Sequence, residues 1–331
     1  MPYFSVIVPV YNRPGEVRDL LESLCRQTSG DFELVLVEDG STEPCRNVAD
    51  EYAGALDIHY YYKENEGRSI ARNYGMERAS GEYFLFFDSD CVIPETYFET
   101  LKGELEREYT DCFGGPDNAH DSFTDIQKAI NYSMTSFLTT GGIRGGKMSL
   151  EKFTPRTFNM GFSRRVYKTV GGFREMFSED IDMSTRIRKA GFSIRLIRPA
   201  CVYHKRRTGL RKFCRQIYIF GMSRISLYLL YPDTLKAVHF FPALFVLGVA
   251  AMVAVSFFWI YALLPLAFYL LAVFAVSWIE TRRLKIAALS VVTSVVQLGG
   301  YGIGFIRAFV LKVLLGRGRD EAEEVRLRKG K

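Results

Sequence analysis

The stretch YFLFFDSD, Tyr83–Asp90, runs an unbroken series of aromatic and aliphatic residues straight into two aspartates. Two earlier runs have the same form. FSVIVPV (Phe4–Val10) leads into Tyr11 and Asn12, and FELVLVED (Phe32–Asp39) closes on Glu38 and Asp39. Near-continuous apolar runs of this length suit strands buried on both faces, which is the condition of a parallel sheet covered by helices. The segments between the runs have helix length. In PGEVRDLLESLCRQTSG, residues 14–30, Val17, Leu20, Leu21 and Leu24 fall on one helical face, and RSIARNYGMERASG, residues 68–81, leads into the third run. Strand, helix, strand, helix, strand in that order specifies an α/β fold with a doubly wound, Rossmann-like, mainly parallel sheet. Tyr60–Tyr62 are expected to form a further, interior strand.

In such a sheet the ligand crevice opens at the carboxyl ends of the strands. Those ends carry Pro9, Tyr11 and Asn12 after the first run, Glu38 and Asp39 after the second, and Asp88 and Asp90 after the third. No G-x-G-x-x-G follows the first strand, so the dinucleotide fingerprint is missing. Acids in place of a glycine cradle imply that phosphate is met through a bridging cation, and hard divalent ions, Mn2+ or Mg2+, suit carboxylates combined with substrate phosphates. A second phosphate motif is nearly present in TTGGIRGGKMSL, Thr139–Leu150, where Gly141, Gly146 and Lys147 keep P-loop spacing. Met148 stands where the motif needs a hydroxyl, and a helix-like segment rather than a strand precedes it. This stretch is therefore read as a mobile active-site lid or binding loop.

Composition changes sharply along the 331 residues. Residues 237–279 contain no Asp, Glu, Lys or Arg, an apolar run about twice the ~20 residues one span needs, so a hairpin of two membrane helices is expected over 238–279. A third apolar segment, 286–315, would leave the basic tail outside if it spanned. Its glycines at 299, 300, 302 and 304 suggest instead a broken, re-entrant or interfacial segment that returns the tail to the cytosol. Before the hairpin, RKFCRQIYIFGMSRISLYLLYP mixes basic and apolar residues and reads as an interfacial amphipathic helix. The formal charge of +6 is concentrated in RLIRPACVYHKRRTGLRKFCR, suited to anionic headgroups or to a solvated basic face. The expected organisation is a cytosolic domain over 1–205, interfacial helices over 206–235, a membrane region over 236–316 and a charged cytoplasmic tail over 317–331. No basic leader with a cleavage site is evident, so export by signal peptide is not expected. Six scattered cysteines without C-x-x-C or zinc spacing fit reduced thiols, and no groove-reading motif points to nucleic acid.

Taken together, VIVPVYNRP, LVEDGSTE, NEGRSIARNYGMERASGEYFLFFDSD and FNMGFSRRVYKTVGGFREMFSEDIDMSTRIRKAG resemble, in order and spacing from about Phe4 to Gly191, the family 2 glycosyltransferases, inverting enzymes of the GT-A fold. The apolar C-terminal region also resembles the anchors of members that act on lipid-linked acceptors. The resemblance implies that Pro9, Tyr11, Asn12 and Asp39 line the pocket for base and ribose, that Arg72 approaches ribose or diphosphate, and that Asp88 sits near the ribose. It implies further that Asp90 coordinates the cation, with His204 brought near the diphosphate and the metal. Asp180 would be the catalytic base, with Glu179 orienting the acceptor.

The chemistry fits those roles. An acceptor hydroxyl must lose a proton as it attacks the anomeric carbon, so one carboxylate has to lie opposite the leaving group, while a cation at Asp90 offsets the charge gained by the departing diphosphate. SEDIDMSTRIRKAG is also a helix start, with Ser178 as N-cap, acids in the first turn and Gly191 past the end, and Asp182 is read as structural. His59 and His120 are read as surface residues. The implied activity is transfer from a nucleotide-sugar, read as UDP-linked, to a hydroxyl of a lipid-linked saccharide, by a multi-pass protein of the inner membrane with its catalytic domain in the cytosol. A polyprenyl phosphate acceptor and a non-catalytic nucleotide-binding scaffold are the alternatives. Membrane lipids are expected partners, and a homo-oligomer is left open.

Overall fold

The computed structural model describes residues 2–118, 123–141, 153–204 and 209–317. Residues 142–150 of the Gly-rich stretch, His120 and most of the charged tail lie outside the described residues. In chain order the elements are β1 (Phe4–Val10), α1 (Pro14–Cys25), β2 (Phe32–Asp39), α2 (Arg46–Tyr52), β3 (Ile58–Lys63), α3 (Arg68–Arg78), β4 (Tyr83–Phe86), β5 (Cys91–Val92), α4 (Tyr97–Arg107), β6 (Cys112–Gly114) and β7 (Asp117–Asn118). Next come α5 (Asp125–Thr135), α6 (Phe137–Thr140), β8 (Met160–Ser163), α7 (Arg164–Val170), α8 (Glu179–Lys189), β9 (Ile194–Leu196) and β10 (Val202–His204). The last four helices are α9 (Leu210–Leu230), α10 (Phe241–Ser256), α11 (Leu264–Thr281) and α12 (Leu284–Ala308). The chain divides into two compact units, Met1–His120 with Phe153–Lys205, and Asp121–Lys152 with Arg206–Lys331. The described residues 123–141 fall in the second of these units.

The first unit is built on a sheet of order β3-β2-β1-β4-β8-β6-β9. β3, β2, β1 and β4 run parallel, β8 is antiparallel to both β4 and β6, and β9 is parallel to β6. Because side chains alternate across a strand, each run feeds two cores. Val6, Val8, Leu34, Leu36 and Leu85 face one side, against Val17, Leu20 and Leu24 of α1 and Phe98 and Leu101 of α4. Ile7, Val35, Val37, Phe84 and Phe86 face the other, against Ala71 and Met76 of α3 and Met183 and Ile187 of α8. Tyr60–Tyr62 do form a strand, but β3 is the sheet's edge and only partly buried, which corrects the interior placement.

A second sheet, of order β5-β10-β7, is short and decisive for the site. Its register sets His204 opposite Cys91 and Val202 beside Asp117. Three stretches far apart in sequence therefore meet at the end of β4.

The second unit holds three helices long and apolar enough to cross a membrane, over Ala237–Ser256, Ile260–Thr281 and Leu284–Leu314. α12 runs unbroken through its glycines, so these do not interrupt the helix as expected from sequence. They permit close packing instead. A Cβ on Gly221 of α9 would lie 2.1 Å from the Tyr301 carbonyl oxygen, and one on Gly304 would lie 2.2 Å from the Tyr218 carbonyl oxygen. Backbone cannot yield to such contacts as a flexible side chain can. Gly221→Val is expected to cost about 1–3 kcal/mol or more, seen as a lowered thermal midpoint of the detergent-purified protein.

Candidate active site

The turn after β1 is built around Asn12, which adopts a left-handed backbone with φ 52°. Asparagine tolerates this region better than most residues. Its Oδ1 accepts from the backbone N–H groups of Thr42 (2.8 Å) and Glu43 (3.0 Å), and its own N–H donates to Ser41 Oγ (2.7 Å). Asn12 thereby braces the loop after β2. Pro9 is half-buried and Tyr11 exposed beside it, the latter placed to offer a ring to a ligand.

Asp39, at the end of β2, is buried and works on a second loop. Its carboxylate accepts from Lys63 Nζ (3.0 Å) and from the N–H groups of Glu66 (3.0 Å) and Gly67 (2.8 Å), while its carbonyl accepts from Asn65 Nδ2 (2.8 Å). It holds the Asn65–Gly67 turn that starts α3. Glu38 is likewise internal, accepting from Cys45 N (2.8 Å) and Tyr60 OH (3.2 Å).

Arg72 is fully buried, and its fork goes to protein carboxylates. Nη2 donates to Asp88 Oδ1 (2.8 Å) and Nη1 to Glu179 Oε1 (3.0 Å), with the guanidinium carbon 5.7 Å from the centroid of the Phe173 ring. Arg72 thereby ties the end of β4 to the start of α8. Arg68 supplies a second donor to Glu179, at 2.9 Å. Burial by itself would raise the Glu179 carboxyl, yet the adjacent Arg68 and Arg72 hold it below the usual carboxylate range. Breaking one side of a buried ion pair leaves the other uncompensated, so Arg72→Met is expected to cost about 3–5 kcal/mol, measurable by thermal or denaturant unfolding.

Asp180 follows on the first turn of α8 and is placed differently. Oδ2 accepts from Arg156 Nη1 (3.2 Å), Oδ1 accepts from the Ile181 N–H (2.8 Å), and the side chain stays partly exposed. Asp182 points away and pairs with Arg174 (3.3 Å) and Arg186 (2.9 Å), as a structural residue. Ser178 occupies the N-cap position but in a left-handed conformation, φ 62°, and its side chain does not cap the helix, contrary to the cap expected from sequence.

Asp90 lies between two cationic groups. Its Oδ2 accepts from Arg13 Nη1 at 2.7 Å, and Oδ1 is 3.1 Å from His204 Nε2, which is also 3.9 Å from Asp88 Oδ2. His204 stacks on Phe158, with centroids 4.6 Å apart, and its Nδ1 is 3.9 Å from Asp117 Oδ2. Burial would lower the imidazole, but Asp117, Asp90 and Asp88 around it push it up to about 9. Burial likewise opposes ionisation of Asp90, and His204 and Arg13 overcome it to hold the carboxyl well below the usual range.

These residues fit a divalent cation. Asp90 Oδ1 is a buried oxygen without a directed hydrogen bond and His204 Nε2 lies 3.1 Å from it; with the His204 proton released, carboxylate oxygen and imidazole nitrogen form a donor set that Mn2+ or Mg2+ accepts. Neighbouring Cys91 is not part of it, since its thiol turns to the Phe158 carbonyl (3.6 Å) and burial pushes it well above its ordinary value.

The profile of Glycosyl transferase family 2 matches residues 5–171, about half of the chain and all of the sheet's parallel half. The chain belongs to glycosyl transferase family 2. Among curated relatives it is 36% identical over 115 residues to the uncharacterized glycosyltransferase EpsJ of Bacillus subtilis, covering 34% of this chain and 33% of that one. The chain thus matches about a third of the length of that relative. Among solved structures it superposes on mannosyltransferase PcManGT from Pyrobaculum calidifontis, determined with GDP-Man and Mn2+, with TM-score 0.63 at 17% identity over 90% of this chain and 87% of that one. The residue 1–349 portion of S. aureus TarS with UDP-GlcNAc follows at TM-score 0.50 and 18% identity, covering 96% and 92%. At these identities the likeness is one of fold: the mostly parallel seven-strand sheet is that of GT-A structures.

Within this family 2 chain Arg72 links Asp88 to Glu179, with His204 beside Asp88 and Asp90 and Asp180 next to Glu179 on α8, while Pro9, Tyr11, Asn12 and Asp39 stand at the ends of β1 and β2. Three arginines and one aspartate were missing from the sequence-derived site: Arg13 on Asp90, Arg68 on Glu179, Arg156 on Asp180, and Asp117 beside His204. Arg13 was readable as the residue after Asn12 on a strand end. Arg156 and Asp117 carry no local signal, because only pairing across β5, β7 and β10 and the bridge between Arg156 and Asn159 brings them in.

Proposed function

We propose that this family 2 chain is an inverting, cation-dependent glycosyltransferase that moves a sugar from a nucleotide donor, read as a UDP-sugar, to a hydroxyl of a lipid-linked saccharide. It would do so as a multi-pass protein at the cytoplasmic face of the inner membrane, in cell-surface glycan assembly. The observation that carries this reading is the Arg72 bridge from Asp88 to Glu179, which puts the Asp88–Asp90 turn and the first turn of α8 into one site. That the two fold neighbours bind GDP-Man and UDP-GlcNAc supports a nucleoside diphosphate sugar as donor.

Asp90 and His204 would hold the cation, whose charge offsets that developing on the departing diphosphate. Tyr11 and the Asn12 and Asp39 loops would shape the nucleotide pocket. Asp180 would take the proton of the attacking hydroxyl, with Arg156 orienting its carboxylate; Glu179, buried and filled by two arginines, would keep the start of α8 in place. Inversion follows if the attacking oxygen, guided by Asp180, enters opposite the leaving group.

The test is to incubate the detergent-purified protein with Mn2+, radiolabelled UDP- or GDP-sugars and a lipid extract. Label entering a longer lipid-linked saccharide in the organic phase supports the reading, and acid-labile label on a single-sugar lipid would point to polyprenyl phosphate. With no labelled lipid and no metal-dependent release of nucleotide from any donor, the reading fails.

A further inference from the structure

We propose that α12 lies in the plane of the membrane surface, across the base of the hairpin formed by α10 and α11, with one apolar stripe on the lipid, so that the described chain crosses the bilayer twice. The hairpin sets the frame. α10 and α11 are joined through Phe257–Leu263, so the start of α10 and the end of α11 belong to one side. Only 11% of each of their apolar windows is buried within the protein, as expected of helices surrounded by lipid.

Where α12 touches this hairpin decides its direction. Near its beginning, Ser290 Oγ accepts from Ser277 Oγ at 2.8 Å, and Ser277 is one turn from the end of α11. Farther on, Phe305 packs on Phe240 with ring centroids 5.3 Å apart, and a Cβ on Gly302 would lie 2.2 Å from the Pro242 carbonyl oxygen. Phe240 and Pro242 stand at the start of α10. Ser290 and Gly302 are about 18 Å apart along a helix, yet both meet the hairpin at its base. A third span antiparallel to α11 would carry Gly302 to the opposite end, near Trp259.

The polarity of α12 agrees. Half of its apolar window is buried, and its polar residues lie on the buried face, where Ser290, Thr293, Ser294 and Gln297 are covered together with Ile286, Leu298 and Phe305, and Thr293 Oγ1 donates to the Ala129 carbonyl at 3.0 Å. The outward face carries Val292, Val295 and Ile303. Polar groups against protein and valines outward invert the order of a helix in water, and a single apolar stripe is what an interfacial helix buries in the headgroup boundary. Basic residues flank both ends: Arg283 and Lys285 before, Lys312 and Arg317 after. On an in-plane helix all four meet the same anionic surface, whereas a span would export half of them against the positive-inside tendency.

The experiment uses the full chain in membrane vesicles, with Cys25, Cys201 and Cys214 changed to serine because the other thiols are buried. Single cysteines at Lys285→Cys, Arg317→Cys and Phe258→Cys are probed with an impermeant maleimide from either side. Positions 285 and 317 are expected to label together, and 258 from the opposite side. Labelling of 317 from the side of 258 overturns the proposal. Spin labels at Ala288, Val295 and Ile303 in lipid vesicles give an independent reading, and one shallow depth for all three is expected. A depth maximum in mid-helix, or shielding of the stripe by a second copy seen as spin–spin broadening, also overturns it.

Discussion

Asp180→Asn is expected to slow transfer to a hydroxyl acceptor by about 10²–10⁴-fold, the usual range for loss of a general base, while donor binding and the thermal midpoint stay near those of the unchanged protein. Asparagine keeps the size of the side chain, and its carbonyl can still accept from the Ile181 N–H as Asp180 Oδ1 does at 2.8 Å. The partner lost is Arg156, at 3.2 Å and partly exposed, and pairs of that kind contribute little to stability. Activity and folding should therefore separate, with kcat falling and nucleotide affinity holding. The acceptor matters to the outcome. A polyprenyl monophosphate is already ionised and needs no base, so near-normal turnover of Asp180→Asn would favour that acceptor. A full rate on a hydroxyl acceptor would sink Asp180 as base. Glu179 could not easily replace it, since both of its oxygens are occupied by Arg68 and Arg72.

How much of this was legible in the sequence depends on how far apart the interacting residues lie. β1, β2 and β4 announce themselves as apolar runs because strands buried on both faces need no polar alternation, and the acids at their ends stand where a parallel sheet opens. β6, β8 and β9 do not. They are three or four residues long, and their place in the sheet comes from pairing, antiparallel at β8 and parallel at β9, that no local period encodes. The same holds within the site. Asp88 and Asp90 could be read directly, and Arg13 as the residue after Asn12, but Arg156 reaches Asp180 and Asp117 reaches His204 only through tertiary pairing. Asp39 and Arg72 were found as residues, but sequence gives no sign that Lys63 and the 66–67 backbone bind the one and that two carboxylates bind the other. The α12 glycines show the converse error. Glycine is a weak helix former, so a cluster of them suggests a break, yet here it is what lets α9 and α12 backbones approach.

Asp90→Asn is expected to abolish binding of Mn2+ at micromolar concentrations and to lower the transfer rate by about 10²-fold or more, since loss of a cation's contribution to the leaving group amounts to several kcal/mol and each 1.4 kcal/mol is tenfold. The local charges make the loss steeper than removal of one ligand. Asp90 sits 2.7 Å from an Arg13 nitrogen and 3.1 Å from His204 Nε2, and a neutral amide would leave those groups facing the site with Glu16, Asp88 and Asp117 to offset them. The free-ion signal of Mn2+ in electron paramagnetic resonance measures this directly, without turnover. Arg13→Gln supplies the contrast. Its guanidinium occupies Asp90 Oδ2, so removing it frees an oxygen and a charge, and cation binding should tighten severalfold in the same titration. Opposite shifts from two neighbouring substitutions cannot come from general loosening of the fold. If Asp90→Asn binds Mn2+ as the unchanged protein does, the cation is held elsewhere and the aspartates after β4 merely close a turn.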